Sequence, residues 1–381
     1  MTLGDLSMRS RMPNQSSEND KTSVQGFYFD ARYIRIDHHD GISRFSAGLF
    51  TAINKLTDVT AIISDLRQLD KLPSGTKFIK VTAPTSVLEP LVALQLNRVG
   101  AKVVFSPMQT IGTFGRRFKI VLTVHDLIYY SHPTPPPAFS FFVKILWRLY
   151  HLSYFPQRLL LNRADAIVAV SETTKQLIVK NRLTKKPVHV VHNAPEQQDS
   201  TQSLASRSIP QAKRNLIYMG SFMDYKNVEV LVSGMNQLPE FELHLLSRIS
   251  NERKAELERL APQNSNVVFH NGTGDEEYQA LLTEAFALVS GSRNEGFGIP
   301  LVEAMAVGTP IVVSDIEIFR EIGGTAAKYF DKENPEEFAK AIRGLSANDS
   351  WQRASEAATA QSKKFSWDVS AKKLLALIQQ I

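Results

Sequence analysis

The chain has 381 residues, a length that predicts two or three domains rather than one. It contains no cysteine, which excludes disulfides and thiolate chemistry and suits a reducing, cytoplasmic compartment. Lys plus Arg number 44 and Asp plus Glu 38, and this moderate positive excess favours an anionic small molecule or a phospholipid surface over a nucleic acid. No apolar run approaches the roughly 20 residues that a membrane-spanning helix needs.

The first 25 residues are polar and lack the apolar core of a signal peptide, so we expect a disordered tail over 1–25. Beyond it, short apolar runs alternate with helical patterns, which is typical of a parallel, doubly wound α/β sheet. A first domain is predicted at 26–195, with strands at 26–30, 59–64, 102–105, 120–124, 166–170 and 188–191. A helical pattern covers 84–98, and Ser43 and Ser171 are predicted helix N-caps.

Residues 37–40 form a short Asp/His cluster, D-H-H-D, before a predicted helix. Such clusters can bind metals, but His38 and His39 are adjacent and would point in different directions from a regular element. We therefore predict a loop rather than a metal site, with Gly41 supplying the turn into the helix.

The segment 127–164 contains no acidic residue, and its part 139–155 predicts a basic, aromatic helix. Such a helix can lie in a membrane interface, with aromatic rings at headgroup depth and with Lys144 and Arg148 on anionic lipid. Alternatively, its apolar face belongs to the core and its charges are simply solvated. The residues alone leave both interpretations open.

Residues 196–213 are rich in Gln, Ser and Ala without apolar periodicity, and they predict an interdomain linker. A second domain at 214–364 repeats the alternation, with strands at 216–219, 243–246, 267–269, 287–290 and 311–313. A final helix is predicted within 365–381. After the first of these strands, Gly220 and Lys226 can hold a diphosphate by a backbone amide and a point charge.

The most informative stretch is the loop N-E-G-F-G-I, between the strand at 287–290 and a helix predicted to start at Pro300. Free backbone N–H groups and the positive end of the helix dipole make such a helix start suitable for an anion. Glu295 lies in the loop and Glu303 lies about one turn into the helix. The two carboxylates can accept hydrogen bonds from different parts of one long ligand, such as one with phosphate in the middle and a sugar at each end.

This stretch, E-G-F-G-I-P-L-V-E-A-M-A-V-G-T-P, resembles the E-x7-E signature of the family-four retaining glycosyltransferases, which have the GT-B fold. The resemblance implies an α/β protein with two Rossmann-like domains, whose parallel sheets face an interdomain cleft. It also implies a C-terminal helix that crosses back to the first domain. It places Glu295 at the transferred sugar and Glu303 at the nucleotide ribose. The backbone amides of Gly296, Phe297 and Gly298 would face sugar and phosphate.

Two motifs of the first domain carry the same resemblance. T-V-H-D-L at 123–127 is similar to the T-x-H-D-L motif of the family, which implies that His125 lines the site beside the transferred sugar. It also ends a predicted strand, where open α/β sheets bind ligands. Asp126 either orients this histidine or caps the loop. G-I-S-R-F at 41–45 is similar to the family pattern G-I-G-R-Y, which implies that Gly41 and Arg44 face the donor phosphates and the acceptor.

The loop G-S-F-M-D-Y-K-N resembles the family loop G-R-x-x-x-x-K-G/N, whose lysine binds the donor phosphates. Its corresponding residues here are Gly220, Ser221, Lys226 and Asn227. The common arginine of the family is Ser221 in this chain. The second positive charge at the phosphates is therefore expected from Arg293 or Arg44.

The resemblance implies retaining transfer of a hexose from a nucleotide diphosphate sugar to a glycan or lipid-linked acceptor. The aromatic surplus at 139–155 suits a lipid-carried acceptor and peripheral contact with the inner face of the cell membrane. No metal or other cofactor is expected, because Lys226, arginine and helix N-termini can offset the phosphate charge. The loops at 41–45 and 220–227 look like those of bacterial mannosyltransferases of surface-polysaccharide pathways, which favours GDP-mannose.

Two other functions fit the same cleft. One is a GT-B epimerase or phosphorylase. The other is a non-catalytic nucleotide-sugar-binding partner in polysaccharide assembly, against which the presence of Glu295, Glu303, Lys226 and His125 argues. No nucleic-acid partner is expected.

Overall fold

The computed structural model describes residues 24–36, 40–135, 140–196, 214–261, 266–347 and 349–381. The predicted tail lies outside these residues except for its last two positions, as do His38, His39 and the predicted linker after residue 196. Within the described residues the chain forms two sheets, one of seven strands and one of six. All pairs of neighbouring strands are parallel, so the predicted α/β class with two parallel sheets is confirmed.

The first sheet has the strand order β3-β2-β1-β4-β5-β6-β7. Its strands are β1 (Phe27–Asp30), β2 (Thr60–Ile63), β3 (Phe78–Lys80), β4 (Val103–Ser106), β5 (Lys119–Val124), β6 (Ala166–Ala169) and β7 (Val188–Val190). Strands β1 and β6 are buried along their whole length because helices cover both faces of the sheet, so their sequences are apolar runs rather than alternations. Strand β3 was not predicted, since it is a three-residue edge strand with alternating polarity.

The helices of this domain are α1 (Gly41–Leu56), α2 (Val92–Arg98), α3 (Ile128–Ser131), α4 (Phe141–His151), α5 (Phe155–Leu161) and α6 (Glu172–Lys180). The predicted N-cap of α1, Ser43, is wrong: Asp40 caps the helix by accepting a hydrogen bond from the Ser43 N–H at 2.8 Å. Gly41 is consequently the first helical residue rather than a turn. The predicted helix over 84–98 begins as α2 only after a 3-10 turn containing Pro90, which disfavours α-helix before it.

Helix α4 lies within the predicted basic, aromatic segment. None of its 11 residues is buried. The alternative in which its apolar face belongs to the core is therefore wrong, and its apolar side chains remain exposed on the surface. No described helix is both long enough and apolar enough to cross a bilayer.

The second sheet has the order β10-β9-β8-β11-β12-β13. Its strands are β8 (Arg214–Tyr218), β9 (Phe241–Leu245), β10 (Val267–Phe269), β11 (Ala287–Ser290), β12 (Ile311–Ser314) and β13 (Lys328–Phe330). Its helices are α7 (Val228–Gly234), α8 (Asn251–Glu258), α9 (Asp275–Glu284), α10 (Ile299–Ala306), α11 (Glu317–Gly323), α12 (Pro335–Ser346) and α13 (Ser350–Ser362). The short edge strand β13 was not predicted as a strand.

The last helix, α14 (Trp367–Gln380), packs against α1 of the first domain. Gly48 on α1 lies so close to the Trp367 ring that a Cβ there would collide with it. The hydroxyl of Ser370 donates a hydrogen bond to the carbonyl of His192 at 2.8 Å. One apolar cluster thus includes residues from both halves, among them Phe45 and Leu301, and holds the two domains against each other.

Candidate active site

The glycine-rich loop connects β11 to α10, and α10 starts one residue before Pro300. Gly298 caps the helix with a φ of 95°, a left-handed conformation that a side chain would strain. Glu295 stays in the loop, whereas Glu303 is on the buried side of α10 and is 4% exposed. Both carboxylates lie beyond the carboxyl end of β11, which is the edge where open α/β sheets bind ligands.

Lys226 forms an ion pair with Glu295. Its Nζ is 2.6 Å from Glu295 Oε1, which also accepts a hydrogen bond from the Ser292 hydroxyl at 2.8 Å. Burial lowers the pKa of Lys226, but the charge and hydrogen bond of Glu295 outweigh this and leave the pKa raised. The lysine therefore keeps its positive charge in a largely buried place, where it can stabilise an anion.

Asn227 fixes the position of this lysine. Its backbone is left-handed, with a φ of 49°, and it forms the N-cap of α7. Its side-chain amide donates to the carbonyls of Gly291 at 3.1 Å and Lys332 at 2.6 Å. The turn after β8 is thereby fastened to the turn after β11, and this brings Lys226 to Glu295.

Glu303 forms a second charged cluster, and this one spans the two domains. Arg44, on α1, donates a hydrogen bond from Nη1 to Glu303 Oε1. Its Nη2 is 3.0 Å from Oδ1 of Asp275 on α9. The hydroxyl of Tyr278, a residue that is 1% exposed, donates to Glu303 Oε2 at 2.8 Å. Burial lowers the pKa of Arg44, but the charge of Glu303 outweighs it, so the guanidinium stays charged. A cavity of about 380 Å³ opens beside this cluster, next to Trp367.

The glycine-rich loop packs against the first domain. The carbonyl of Gly296 accepts a hydrogen bond from the Ser171 hydroxyl at 2.9 Å. A Cβ added at Gly296 would collide with the carbonyl oxygen of His125 and would lie 3.0 Å from the Cβ of Asp126. Glycine is therefore required here, because it lets the two backbones approach closely.

His125 follows β5 and lies at this junction. Its Nε2 is 2.7 Å from the carbonyl oxygen of Pro107, and its ring packs edge-on against Phe45, with 5.1 Å between the ring centres. Burial lowers the pKa of His125, so the ring is neutral at pH 7. A neutral ring that donates Nε2–H to a carbonyl keeps Nδ1 as a hydrogen-bond acceptor.

The sequence is similar to known glycosyltransferases. The sequence profile of "Glycosyl transferases group 1" matches residues 199–364, and that of "Glycosyltransferase Family 4" matches residues 95–195. The O-antigen chain mannosyltransferase RfbU of Salmonella typhimurium is 25% identical over 326 residues, which cover 80% of this chain and 87% of the relative. The serotype-specific mannosyltransferase WbdA of Escherichia coli is 27% identical over 206 residues, which cover 48% of this chain and 25% of WbdA.

Solved structures show the same fold. Sucrose-phosphate synthase from Thermosynechococcus elongatus superposes with a TM-score of 0.70 at 17% identity, covering 93% of this chain and 98% of that one. Anabaena HepE, in complex with UDP and glucose, gives a TM-score of 0.67 at 16% identity over 93% and 100% of the two chains.

The chain belongs to the glycosyltransferases of the GT-B fold. The predicted family, fold and enzyme class, a hexosyltransferase, are thereby confirmed.

The other predicted donor-site residues of this glycosyltransferase make contacts within the protein. Arg293 forms a double hydrogen bond with Glu333 at 2.7 and 2.8 Å and donates to the carbonyl of Asp224 at 3.1 Å. The N–H of Gly220 donates to the Ser247 hydroxyl at 3.2 Å. The carbonyl of Ser221 accepts a hydrogen bond from Tyr218 at 2.6 Å. Phe297 is 4% exposed and packs with Phe365 and His192.

Several contacts that build the site were not predicted. Glu321 on α11 accepts hydrogen bonds from the N–H groups of Glu172 and Thr173, both at 2.8 Å, and thereby ties the second domain to the start of α6. The hydroxyl of Tyr278 donates a hydrogen bond to Glu303. Tyr225, which precedes Lys226, lies near His132 of the first domain, with 5.8 Å between the ring centres. No local sequence signal marks these contacts, because each joins distant parts of the chain. Among the described residues, no group of three or more His, Asp or Glu side chains could hold a metal ion.

Proposed function

We propose that this glycosyltransferase transfers a hexose from a nucleotide diphosphate sugar to a glycan or lipid-linked glycan, with retention at the anomeric carbon. The proposed donor is GDP-mannose, and the transferred sugar is mannose. One observation carries the proposal: Lys226 with Glu295, and Arg44 with Glu303, place two charged clusters along the sheet edge beside α10. The names of the relatives RfbU and WbdA, both mannosyltransferases, support the choice of sugar.

Each cluster suits one part of the donor. Glu303 has one oxygen on Tyr278 and the other on Arg44, so a ribose hydroxyl that donates to this carboxylate has to share or displace the arginine. Lys226 and the N-terminus of α10 present positive charge for the diphosphate between the ribose and the sugar. Glu295 accepts hydrogen bonds from hydroxyls of the transferred sugar.

The reaction that fits these residues is a front-face displacement. The bond between the anomeric carbon and the phosphate oxygen breaks, and the acceptor oxygen bonds to that carbon on the same face. The acceptor proton passes to the departing phosphate oxygen, so the nucleotide diphosphate is released. Lys226 stabilises the charge that develops on this oxygen, in a largely buried place where electrostatic stabilisation is strong.

We propose that transfer needs no metal, because Lys226 and the α10 N-terminus offset the phosphate charge. Activity in excess EDTA should then equal activity in Mg²⁺. A loss of transfer that Mg²⁺ or Mn²⁺ restores would contradict this part of the proposal.

The proposed function is tested first with a panel of nucleotide-sugars and their free diphosphates. Ligands that bind the folded protein raise its melting temperature by mass action, so the true donor and its nucleotide should stabilise it. Incubation with that donor alone should give slow hydrolysis, and a glycan acceptor should give a new glycoside. An epimerase would instead yield an isomeric nucleotide-sugar without an acceptor. A non-catalytic partner would bind and convert nothing.

We also propose that the enzyme contacts membranes peripherally through α4, at the inner face of the cell membrane. Phe141 and Phe142 are 72% and 76% exposed, and Leu146 is 66% exposed. Monomeric soluble proteins rarely leave such a contiguous apolar patch uncovered. The segment 127–164 has no acidic residue, so its charge suits an anionic phospholipid surface.

Vesicle flotation tests the membrane contact. Lys144→Glu with Arg148→Glu should release the protein from anionic vesicles, and raising salt should weaken wild-type binding, because exposed charges are screened over about 10 Å at 0.1 M salt. The matched control is Lys372→Glu with Lys373→Glu, two exposed lysines on α14. If both double variants float like wild type, α4 does not bind the membrane by charge.

A further inference from the structure

The surface between the reaction centre and α4 is lined by aromatic rings. The Tyr129 ring packs edge-on against Trp147, with 5.1 Å between ring centres, and lies 5.8 Å from the ring of His151. Trp147 in turn stacks on His151 at 4.1 Å. These rings remain only half-buried, and α4 has no buried residue, so they do not form a closed core.

The first-domain segment that carries Tyr129 comes close to Lys226 of the second domain. The His132 ring is 5.8 Å from the Tyr225 ring, and Lys226 Nζ is 5.4 Å from the centre of that same Tyr225 ring. Burial raises the pKa of Tyr129, and the charges of Asp126 and Lys226 act on it as well. Burial raises the pKa of Tyr225, in the second domain, to about 12, and the charges of Lys226, Glu295 and Asp126 also act on it. Tyr129 lies three residues after Asp126, whose Cβ is next to Gly296, and its ring packs against Trp147 of α4, so it connects the glycine-rich loop region to that helix.

Asp126 supplies a carboxylate at the inner end of this surface. It follows His125 at the carboxyl end of β5, and one of its oxygens accepts a hydrogen bond from the Ile128 N–H at 3.0 Å. That bond caps the loop, whereas no described hydrogen bond joins Asp126 to the His125 ring. Its Cβ is close to Gly296 of the glycine-rich loop. In the described part of the chain, its second oxygen has no hydrogen-bond partner.

A second polar group on the aromatic surface also has no partner. The hydroxyl of Tyr130 is buried without a hydrogen-bond partner among the described residues, next to Tyr154, whose ring centre is 4.1 Å away. Aromatic rings combined with a few polar groups are typical of sites for small organic ligands. A pyranose ring has C–H faces that pack on aromatic rings and hydroxyls that donate to carboxylates.

We propose that Asp126, Tyr129 and Trp147 form the acceptor subsite, and that it takes a pyranose ring of a glycan acceptor. The ring packs on Tyr129 and Trp147, and one of its hydroxyls donates to Asp126. This assignment rests on the proposed function, since it concerns the acceptor of that transfer. It adds no covalent step, because the acceptor proton still passes to the departing phosphate oxygen.

The test uses five soluble probes: the methyl glycosides of mannose, glucose, galactose, N-acetylglucosamine and rhamnose. Trp147 is the half-exposed tryptophan, whereas Trp351 and Trp367 are buried. With GDP present, at least one probe should change the tryptophan fluorescence saturably, and Trp147→Phe should abolish this signal. The same probe should accept mannose from GDP-mannose.

Variants then separate the subsite from the donor site. Trp147→Ala and Tyr129→Ala should each raise the KM of that probe at least tenfold, while the rate of GDP-mannose hydrolysis changes less than twofold. Asp126→Asn should raise the same KM at least tenfold. Trp147→Phe should retain most of the probe affinity because it keeps an aromatic ring. The control is Phe78→Ala, an exposed aromatic residue on the edge strand β3, which should leave both parameters unchanged.

Three results would overturn the acceptor subsite. They are no binding of any of the five probes to wild type, an unchanged probe KM in the variants, or donor hydrolysis that falls as much as transfer. If GDP-mannose and every other nucleotide-sugar are left intact by wild type, the proposed function fails instead. The fluorescence titration still decides the subsite in that case.

Discussion

Removing the Glu303 carboxylate should weaken both the fold and nucleotide binding, and the structure separates the two contributions. In Glu303→Ala, Arg44 keeps Asp275 at 3.0 Å as a partner, whereas the Tyr278 hydroxyl loses Glu303, the partner to which it donates. A lost hydrogen bond to a charged group costs about 1.5–3 kcal/mol, and a buried unsatisfied hydroxyl costs about 1–3 kcal/mol. Glu303→Gln keeps an oxygen for Tyr278 and should avoid most of the second cost.

The assay is thermal unfolding of the two variants and wild type. A loss of 1 kcal/mol lowers the melting temperature of a domain of this size by about 2–4 °C. The Ala variant, which loses about 2.5–6 kcal/mol, should therefore melt roughly 5–24 °C lower, and the Gln variant, which loses about 1.5–3 kcal/mol, roughly 3–12 °C lower. The control is Asp315→Ala, which breaks an exposed ion pair with Arg320 and should cost at most about 1 kcal/mol.

Affinity for GDP supplies the second half of the prediction. Both Glu303 variants should bind GDP about ten- to hundredfold more weakly, because a charged hydrogen bond to the ribose is lost in each. Equal melting temperatures for the Ala and Gln variants would refute the role given to Tyr278. Unchanged GDP affinity in both would remove Glu303 from the nucleotide site.

Three further predictions follow from the same geometry. Lys226→Ala should lower affinity for GDP about ten- to hundredfold but leave guanosine binding nearly unchanged, since only the phosphates interact with that charge. If calorimetry shows equal losses of affinity for GDP and guanosine, Lys226 does not lie at the phosphates. Gly296→Ala should lower the transfer rate at least tenfold, because its Cβ collides with the backbone of His125. The control is Gly344→Ala, in open space on α12, which should be harmless or slightly stabilising. Equal transfer rates for the two variants would refute the close approach of the Gly296 and His125 backbones. Burial lowers the pKa of four histidines, His125, His132, His151 and His189, so the unfolded chain binds protons more readily than the folded one. The contribution of these histidines to stability should therefore be full above about pH 6.5 and should be lost below it. A melting temperature that does not drop between pH 7.5 and 5.5 would contradict this.

The parts of the site that the sequence predicted are local ones. Glu295 and Glu303 belong to one loop and the helix that follows it, so their spacing fixes where they lie relative to the strand. The N-cap at Ser171 was also predicted and is confirmed, since a hydroxyl that accepts from Thr174 needs only the adjacent turn. The strands of the two sheets were predicted from apolar runs, apart from the edge strands β3 and β13.

Contacts between distant residues could not be predicted in this way. Arg44 and Glu303 are 259 positions apart, and only the closure of two domains brings them together. Arg293 and Arg44 were equal candidates for the phosphate charge because both are arginines near a motif. The structure ties Arg293 to Glu333 and Arg44 to Glu303, and this distinction depends on side-chain directions that no spacing rule contains.

The central claim is retaining transfer from a nucleotide-sugar held in the cleft beside Glu295 and Glu303. The most direct measurement is a proton NMR time course of GDP-mannose with the wild-type protein, with and without a glycan acceptor. We expect release of GDP and the first appearance of the α-anomer, before mutarotation, with both signals absent in Lys226→Ala. Appearance of the β-anomer first would contradict retention. A spectrum that stays unchanged for GDP-mannose and for every other nucleotide-sugar would contradict the proposed function itself.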